Sequence, residues 1–218
     1  MTAFTRGLLI ELLEALWETV YMVCFSTLFS LIIGFALALV MIHTGPHGLK
    51  PKRAVYAVID IIVNLLRSFP FIILLICLIP FTRIVVGTSI GTTATIVPLT
   101  IAAAPFAARI IEGSLLEVDS GVIEAARSFG ASSTQIIFRV MLPEALPSII
   151  LNIAVLAITL LGYSAMAGVV GGGGLGDLAY KYGYQRFQTD IMLYSVVILI
   201  VIVQATQSLG NWLYKRLR

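Results

Sequence analysis

The chain has 218 residues, 59% of them hydrophobic and only 11% charged, with a formal net charge of +3 and a mean hydropathy of +1.03. Soluble domains carry roughly 25% charged residues, so this balance excludes a soluble enzyme, a disordered tail and a nucleic-acid binder. Cys24 and Cys77 sit singly inside apolar runs and make neither a disulfide framework nor a zinc site.

A helix rising 1.5 Å per residue needs ~20 mostly apolar residues to cross ~30 Å of hydrocarbon. Five segments qualify, at about 19–42, 68–86, 92–108, 147–170 and 191–209. The expected fold class is therefore an all-α integral membrane protein with five transmembrane helices in a single domain over 1–218, embedded in the lipid bilayer. Ahead of the first span, Glu11, Glu14 and Glu18 recur at helical spacing among Leu9, Leu12, Leu13 and Leu16. They read either as the polar face of an interfacial helix or as the start of a longer, tilted first helix. Their acidity argues against a typical cleaved signal peptide. His43 and His47 flank Gly45-Pro46, which breaks any helix that would align them on a metal.

The second apolar stretch is too long for one crossing, and Asp60 and Arg67 interrupt its first half. Residues 68–86 are taken as its heart, with the preceding stretch partly at the interface. An arginine at a helix centre costs about 2.5–3.5 kcal/mol. Arg67 is therefore expected to snorkel to the inner headgroups, pair with Asp60 or line an inner vestibule. Pro70 and Pro80 invite kinks in this span, Pro98 and Pro105 in the third.

Residues 109–146 form the one sizeable water-facing segment, too small to be an enzymatic domain. Asp119 or Ser120 is placed to N-cap a short helix that Gly130 ends, and Ser132-x-x-Gln135 is a capping box for a second. Glu124 and Arg127 are spaced to pair on one face, and Leu142-Pro143 is expected to stop the second helix before the membrane is re-entered. Such a rigid helix–glycine–helix knob suits docking into a groove on a cytoplasmic partner, against the plainer reading of a re-entry hairpin.

In the fourth span Tyr163, Ser164 and Met166 cluster near the outer end, where a flexible thioether among small residues makes a candidate gate or a simple packing contact. Six glycines in the nine residues 168–176 predict a flexible turn on the external face. It reads as a loop that moves on docking or opening, or as a connector with close backbone approach. Gly171, Gly173 and Gly176 fit G-x-G-x-x-G, but a membrane helix precedes them rather than a strand, so no dinucleotide site is expected. With the C-terminus inside, Lys50, Lys52, Arg53, Arg109, Arg127, Arg139, Lys215, Arg216 and Arg218 are cytoplasmic, against Arg6, Arg83, Lys181 and Arg186 outside. The excess predicts an N-out, C-in chain.

Glu124-Ala125-Ala126, Gly130 six residues after Glu124, and Val140-x-Leu142-Pro143 after nine more resemble the EAA loop of bacterial ABC importer membrane subunits. Isoleucine is frequent in that family where Val140 stands. The stretches from Arg67 to Leu75, Ile79 to Gly87, Pro143 to Pro147 and Gly162 to Gly168 are similar to the methionine-importer permeases.

The resemblance implies a type I ABC importer transmembrane fold in a prokaryotic inner membrane, with Glu124 to Pro143 as the coupling helix. It implies a homodimer, a cytoplasmic ATPase dimer that binds ATP and Mg, and an extracytoplasmic substrate-binding protein. The sequence holds no G-x-x-x-x-G-K-[ST], so no phosphate-cradling loop, cofactor or catalytic role is expected of this chain itself. No acid lies within 92–108, 147–170 or 191–209, which suits a zwitterion with an apolar tail better than an ion. The same machine carrying another amino acid or small solute is the nearest alternative. A membrane-embedded enzyme lacks a nucleophile–base pair or metal set, and a passive carrier leaves the loop without a task. Arg67, Pro70, Tyr163, Ser164 and Met166 are the candidate pathway residues.

Overall fold

With no water to hydrogen-bond, a chain in hydrocarbon must satisfy its peptide groups internally, and helices do so within one segment. The structure, a computed structural model, describes residues 3–46 and 48–217, with side chains from residue 7 on, and within these it consists of helices and turns. His47 and Arg218 lie outside the described residues, as does the side chain of Arg6.

The first helix, α1 (Ala3–Thr44), runs unbroken for 42 residues. No proline occurs in that stretch, so Glu11, Glu14 and Glu18 belong to the spanning helix itself rather than to a separate interfacial one. The second apolar stretch departs most from expectation. Residues 68–86 are not one helix: α2 (Arg53–Ser68) and α3 (Phe71–Cys77) meet at a 103° bend, and α4 (Ile79–Val86) follows after a break at Leu78. Pro70 causes the bend by disfavouring helical backbone at the residue before it, and Phe69 is extended at φ −72, ψ 129. Pro80 lacks a donor and sits in the first turn of α4, where none is needed.

The helix α5 (Thr92–Leu116) continues eight residues past the expected end at Ala108, so Arg109 and Glu112 are helical and not loop residues. After α6 (Ser120–Ser128) and α7 (Ser133–Ile136), a π-helical turn (Ile137–Met141) leads directly into α8 (Leu142–Val169). Pro143 therefore does not stop the helix. The Leu142 N–H reaches back five residues to the Ile137 carbonyl, so the proline enters in the first turn of the next α segment, where its missing N–H forfeits no bond. Then come α9 (Gly174–Leu178), a second π turn (Ala179–Gln185) and α10 (Thr189–Leu217).

Four helical stretches are long and apolar enough to cross a membrane, and the bent α2–α3 pair makes a fifth. Helix α1 lies along α5, α8 packs on both, and α10 packs on α8. The closeness is set by small residues: a Cβ on Gly34 would stand 2.5 Å from that of Ala107, and one on Gly210 the same distance from that of Ala154. Met22, Leu99, Leu156 and Leu160 fill the centre. A second cluster, with Ala38, Ile42, Ile111 and Leu115, joins the ends of α1 and α5 to Ile136, Ile137 and Met141 of the loop. Leu12, Ala15, Leu175, Leu178 and Ile191 close the opposite end.

Candidate coupling surface and pathway residues

The 120–141 segment holds itself together with its own side chains. Asp119 accepts from the Gly121 N–H at 2.7 Å and begins α6. The helix ends in a Schellman turn: Gly130 takes φ +79, its N–H donates to the Arg127 carbonyl at 2.9 Å, and the Ala131 N–H donates to Ala126 at 3.1 Å. Ser132 and Gln135 complete the capping box reciprocally, at 3.3 Å and 2.8 Å.

Ile123, Ala126 and Ala131 then rest on the cluster at the ends of α1 and α5, and Leu142 joins them. Glu124, Ala125, Gly130 and Pro143 stay exposed, and Val140 is half-buried. Glu124 does not pair with Arg127, which donates instead to the Leu49 carbonyl at 3.3 Å and ties the segment to the turn after α1. Between that turn and α6 is a cavity of about 340 Å³ lined by Leu49, Val118, Glu124 and Arg127.

Sequence reasoning passed over three residues on the outer face of this segment. Phe129 is 91% exposed, and Val122 and Phe138 are each 46% exposed. An aromatic residue directly before a helix-ending glycine is the signal by which Phe129 could have been found. Its ring cannot fold back, because the Schellman turn sends the chain inward at Ala131 while residue 129 stays at the apex.

The candidate pathway residues divide. Phe71 and Tyr163 stack with ring centroids 4.6 Å apart and planes 1° from parallel, joining α3 to α8. Met166, three residues on, is half-exposed. Ser164 points the other way: it is buried and donates to the Leu161 carbonyl at 2.8 Å. Pro70 stands at the α2–α3 bend. Arg67 does not pair with Asp60; its guanidinium lies 5.9 Å from the centre of the Phe106 ring. Asp60 pairs with Arg109, which also donates to Glu112 at 2.9 Å and to Asn64 at 3.2 Å. The sequence reading, which placed Arg109 in a water-facing loop, missed this network because its members are split between α2 and α5.

The glycine turn after α8 is built by close approach, not looseness. A Cβ on Gly168 would collide with the backbone of Asp177, and one on Gly176 with that of Ala165. Glu18 of α1 accepts from the Gly174 N–H at 2.7 Å, and Thr19 accepts from the Leu175 N–H at 2.9 Å. Nearby, the Glu11 carboxylate accepts from the Tyr182 hydroxyl and raises the phenol above its ordinary range, with Arg186 opposing.

Comparison with known proteins places this arrangement. The family of binding-protein-dependent transport system inner membrane components matches residues 30–218. The chain belongs to that family. Among relatives of this inner membrane component, the probable D-methionine transport system permease protein MetI of Vibrio cholerae is 49% identical over 94% of the chain and 91% of its own length. The methionine import system permease protein MetP of Bacillus subtilis is 46% identical over 93% and 91%. A solved structure of the MetNI methionine ABC transporter in inward-facing conformations matches with TM-score 0.94 and 43% identity over the whole of both chains. The match spans the loop and every pathway candidate of this inner membrane component, so its fold is the importer fold.

Proposed function

We propose that this chain is the permease subunit of an ATP-driven importer for methionine and its close analogues of either hand. It works as a homodimer with a pair of cytoplasmic ATPases and an extracytoplasmic binding protein. The observation that carries the reading is the full-length likeness, in sequence and in fold, to a transporter described as importing methionine. Tallying basic residues supports an N-out, C-in orientation, even with Arg109 withdrawn from the cytoplasmic side by its ion pairs.

In this reading the segment from Glu124 to Pro143, with Ala125, Ala126, Gly130, Val140 and Leu142, is the coupling helix. Its rigid caps and exposed Phe129 and Val122 support that role, since an aromatic anchor on a preformed helix is what a groove on a partner recognises. Closure of the ATPase pair on ATP and Mg draws two such knobs together. Each knob shares a core with the ends of α1, α5 and α8, so its displacement tilts those helices as rigid bodies and exchanges inward for outward access. Tyr163, Met166, Arg67 and Pro70 lie along the pathway at the two-fold axis. Ser164 is a packing residue, its hydroxyl already used inside its own helix.

The test is uptake of radiolabelled methionine by cells with and without this chain, in a background lacking other methionine routes, challenged by a panel of unlabelled amino acids. Loss of an uptake that only methionine and its analogues compete is expected. Uptake that survives deletion overturns the substrate assignment.

A further inference from the structure

A threonine inside a helix can satisfy its hydroxyl on the carbonyl four residues back. Thr19, Thr44, Thr159 and Thr206 do so here, at 2.7–2.9 Å. Thr82 of α4 does not. It is 3% exposed, and its Oγ1 has no hydrogen-bond partner among the described residues. A hydroxyl buried without a partner is costly, so what stands beside it matters. Thr82 borders a cavity of about 20 Å³ lined also by Leu75, Ile79, Ala94, Thr95, Pro98 and Gly172. A water molecule needs ~10–15 Å³ of such space, so the cavity takes one and not two.

The wall supplies the about two to four polar partners that a buried water requires. Pro98 has no N–H, so the Ala94 carbonyl, four residues back in α5, loses its intrahelical donor. Thr95 gives its hydroxyl proton to the Gly91 carbonyl at 3.0 Å, which leaves the lone pairs of its Oγ1 free to accept. Thr82 has a proton to give. We propose that this cavity binds one structural water, which accepts from the Thr82 hydroxyl and donates to the Ala94 carbonyl and to Thr95 Oγ1. The water completes a polar chain. The Gly91 N–H already donates to the Gly171 carbonyl at 3.0 Å, so Thr95 and Gly91 join α5 to the turn after α8, and the water extends that link to α4. The segment α3–α4, set off from α2 by the 103° bend, is then held to the bundle by hydrogen bonds as well as by the Phe71–Tyr163 stack.

The test is a map of the detergent-extracted complex at a resolution that shows ordered waters, with the thermal midpoint of Thr82→Val measured beside it. The parent map should show a single peak at hydrogen-bond distance from both Thr82 Oγ1 and the Ala94 carbonyl, and the Thr82→Val map should lose or weaken it. Valine keeps the shape of threonine without the hydroxyl, so the sign of its effect on stability is decisive. With the water bound, Thr82→Val removes its donor and the midpoint should fall by a few degrees. A midpoint that rises overturns the site, because the hydroxyl is then buried unpaired and a methyl group is the better occupant. So does a parent map without the peak, or one in which the Thr82 hydroxyl has turned onto the Leu78 carbonyl. A peak ringed by oxygens at about 2.0–2.6 Å is a metal ion and overturns the water as well. If Thr82→Val yields no folded complex, the parent map alone decides.

Discussion

The molecule contains two small glycine-hinged turns at opposite ends of α8; both end a helix in a Schellman turn, and they differ in what caps the helix that follows. The 120–141 knob takes every cap from within about fifteen residues of itself: Asp119, the Gly130 Schellman turn, and Ser132 with Gln135. The turn at 168–178 ends α8 in a Schellman turn of its own, the Gly171 and Gly172 N–H groups donating to the Gly168 and Ala167 carbonyls at 3.0 Å and 2.9 Å, but takes the caps of α9 from α1, through Glu18 and Thr19, 156 residues away in sequence. The first presents an exposed face with an unpartnered aromatic at its apex; the second is buried backbone against backbone. A self-capped element moves as a unit when pushed, which suits transmission of force. An element braced by a distant helix reports on that helix, and holds α1, α5 and α8 in register at this end, where Gly91 also donates to the Gly171 carbonyl at 3.0 Å.

The comparison breaks most sharply at Gly176. A side chain there meets the α-carbon and carbonyl of Ala165, neither of which can rotate away as a flexible side chain does. Gly176→Val should therefore leave little or no folded protein in the membrane, read as loss of a monodisperse detergent-extracted complex. A well-folded Gly176→Val protein shows that the turn after α8 is loose after all.

At the knob the corresponding change should spare folding and remove function. Gly130 holds φ +79, and nothing lies within 4 Å of the space a Cβ would occupy. Proline fixes φ near −65°, so Gly130→Pro should break the Schellman turn and misdirect the exposed face. Glu124→Lys should reverse the charge of that face without touching the core. Both should insert normally and abolish ATP-coupled uptake; undiminished uptake in both overturns the docking role.

These two regions also show what was legible in the sequence. The knob was read to the residue at Gly130, Ser132 and Gln135, and to Asp119 or Ser120 at its start, because each cap bonds to a neighbour in the chain. The turn at 168–176 was read either as a moving loop or as a close backbone connector, because glycine content alone does not reveal the helix pressed against it. The same reason hid Arg109: its partners Asp60 and Glu112 come together only when α2 crosses α5. Pro143 was read as a stop because local rules assign it an interrupted bond, yet a five-residue reach at Ile137 moves the interruption to where no donor is missed. The four long helices followed from apolar length alone, whereas the bend at Phe69-Pro70 required the proline to outweigh a continuous apolar run.

A smaller effect separates the braces themselves. Removing the Glu18 carboxylate in Glu18→Ala leaves the part-buried Gly174 N–H without an acceptor, a cost of about 1–3 kcal/mol. The purified complex should melt several degrees lower, with coupling per ATP unchanged. Glu18→Gln keeps an acceptor oxygen and should recover most of the loss. Equal destabilisation by both variants shows that charge, not the hydrogen bond, holds the turn.

Ser132→Ala should have the mildest consequence. It removes one half of the capping box, the bond to the Gln135 N–H, while the Gln135 side chain still accepts from the backbone at residue 132. N-cap losses cost ~1 kcal/mol, and here the N–H set free stays exposed to water, so the loss should fall at or below that figure. Because α7 runs straight into α8, the fraying should stay within the first turn and leave the Ile136–Ile137 contact with α1 and α5 in place. Thermal stability should drop by a degree or two, and methionine uptake should be slowed less than twofold. A collapse of uptake in Ser132→Ala with stability intact places the force-bearing contact on α7, not on α6, and moves the coupling surface from Glu124 and Phe129 to the face that carries Phe138.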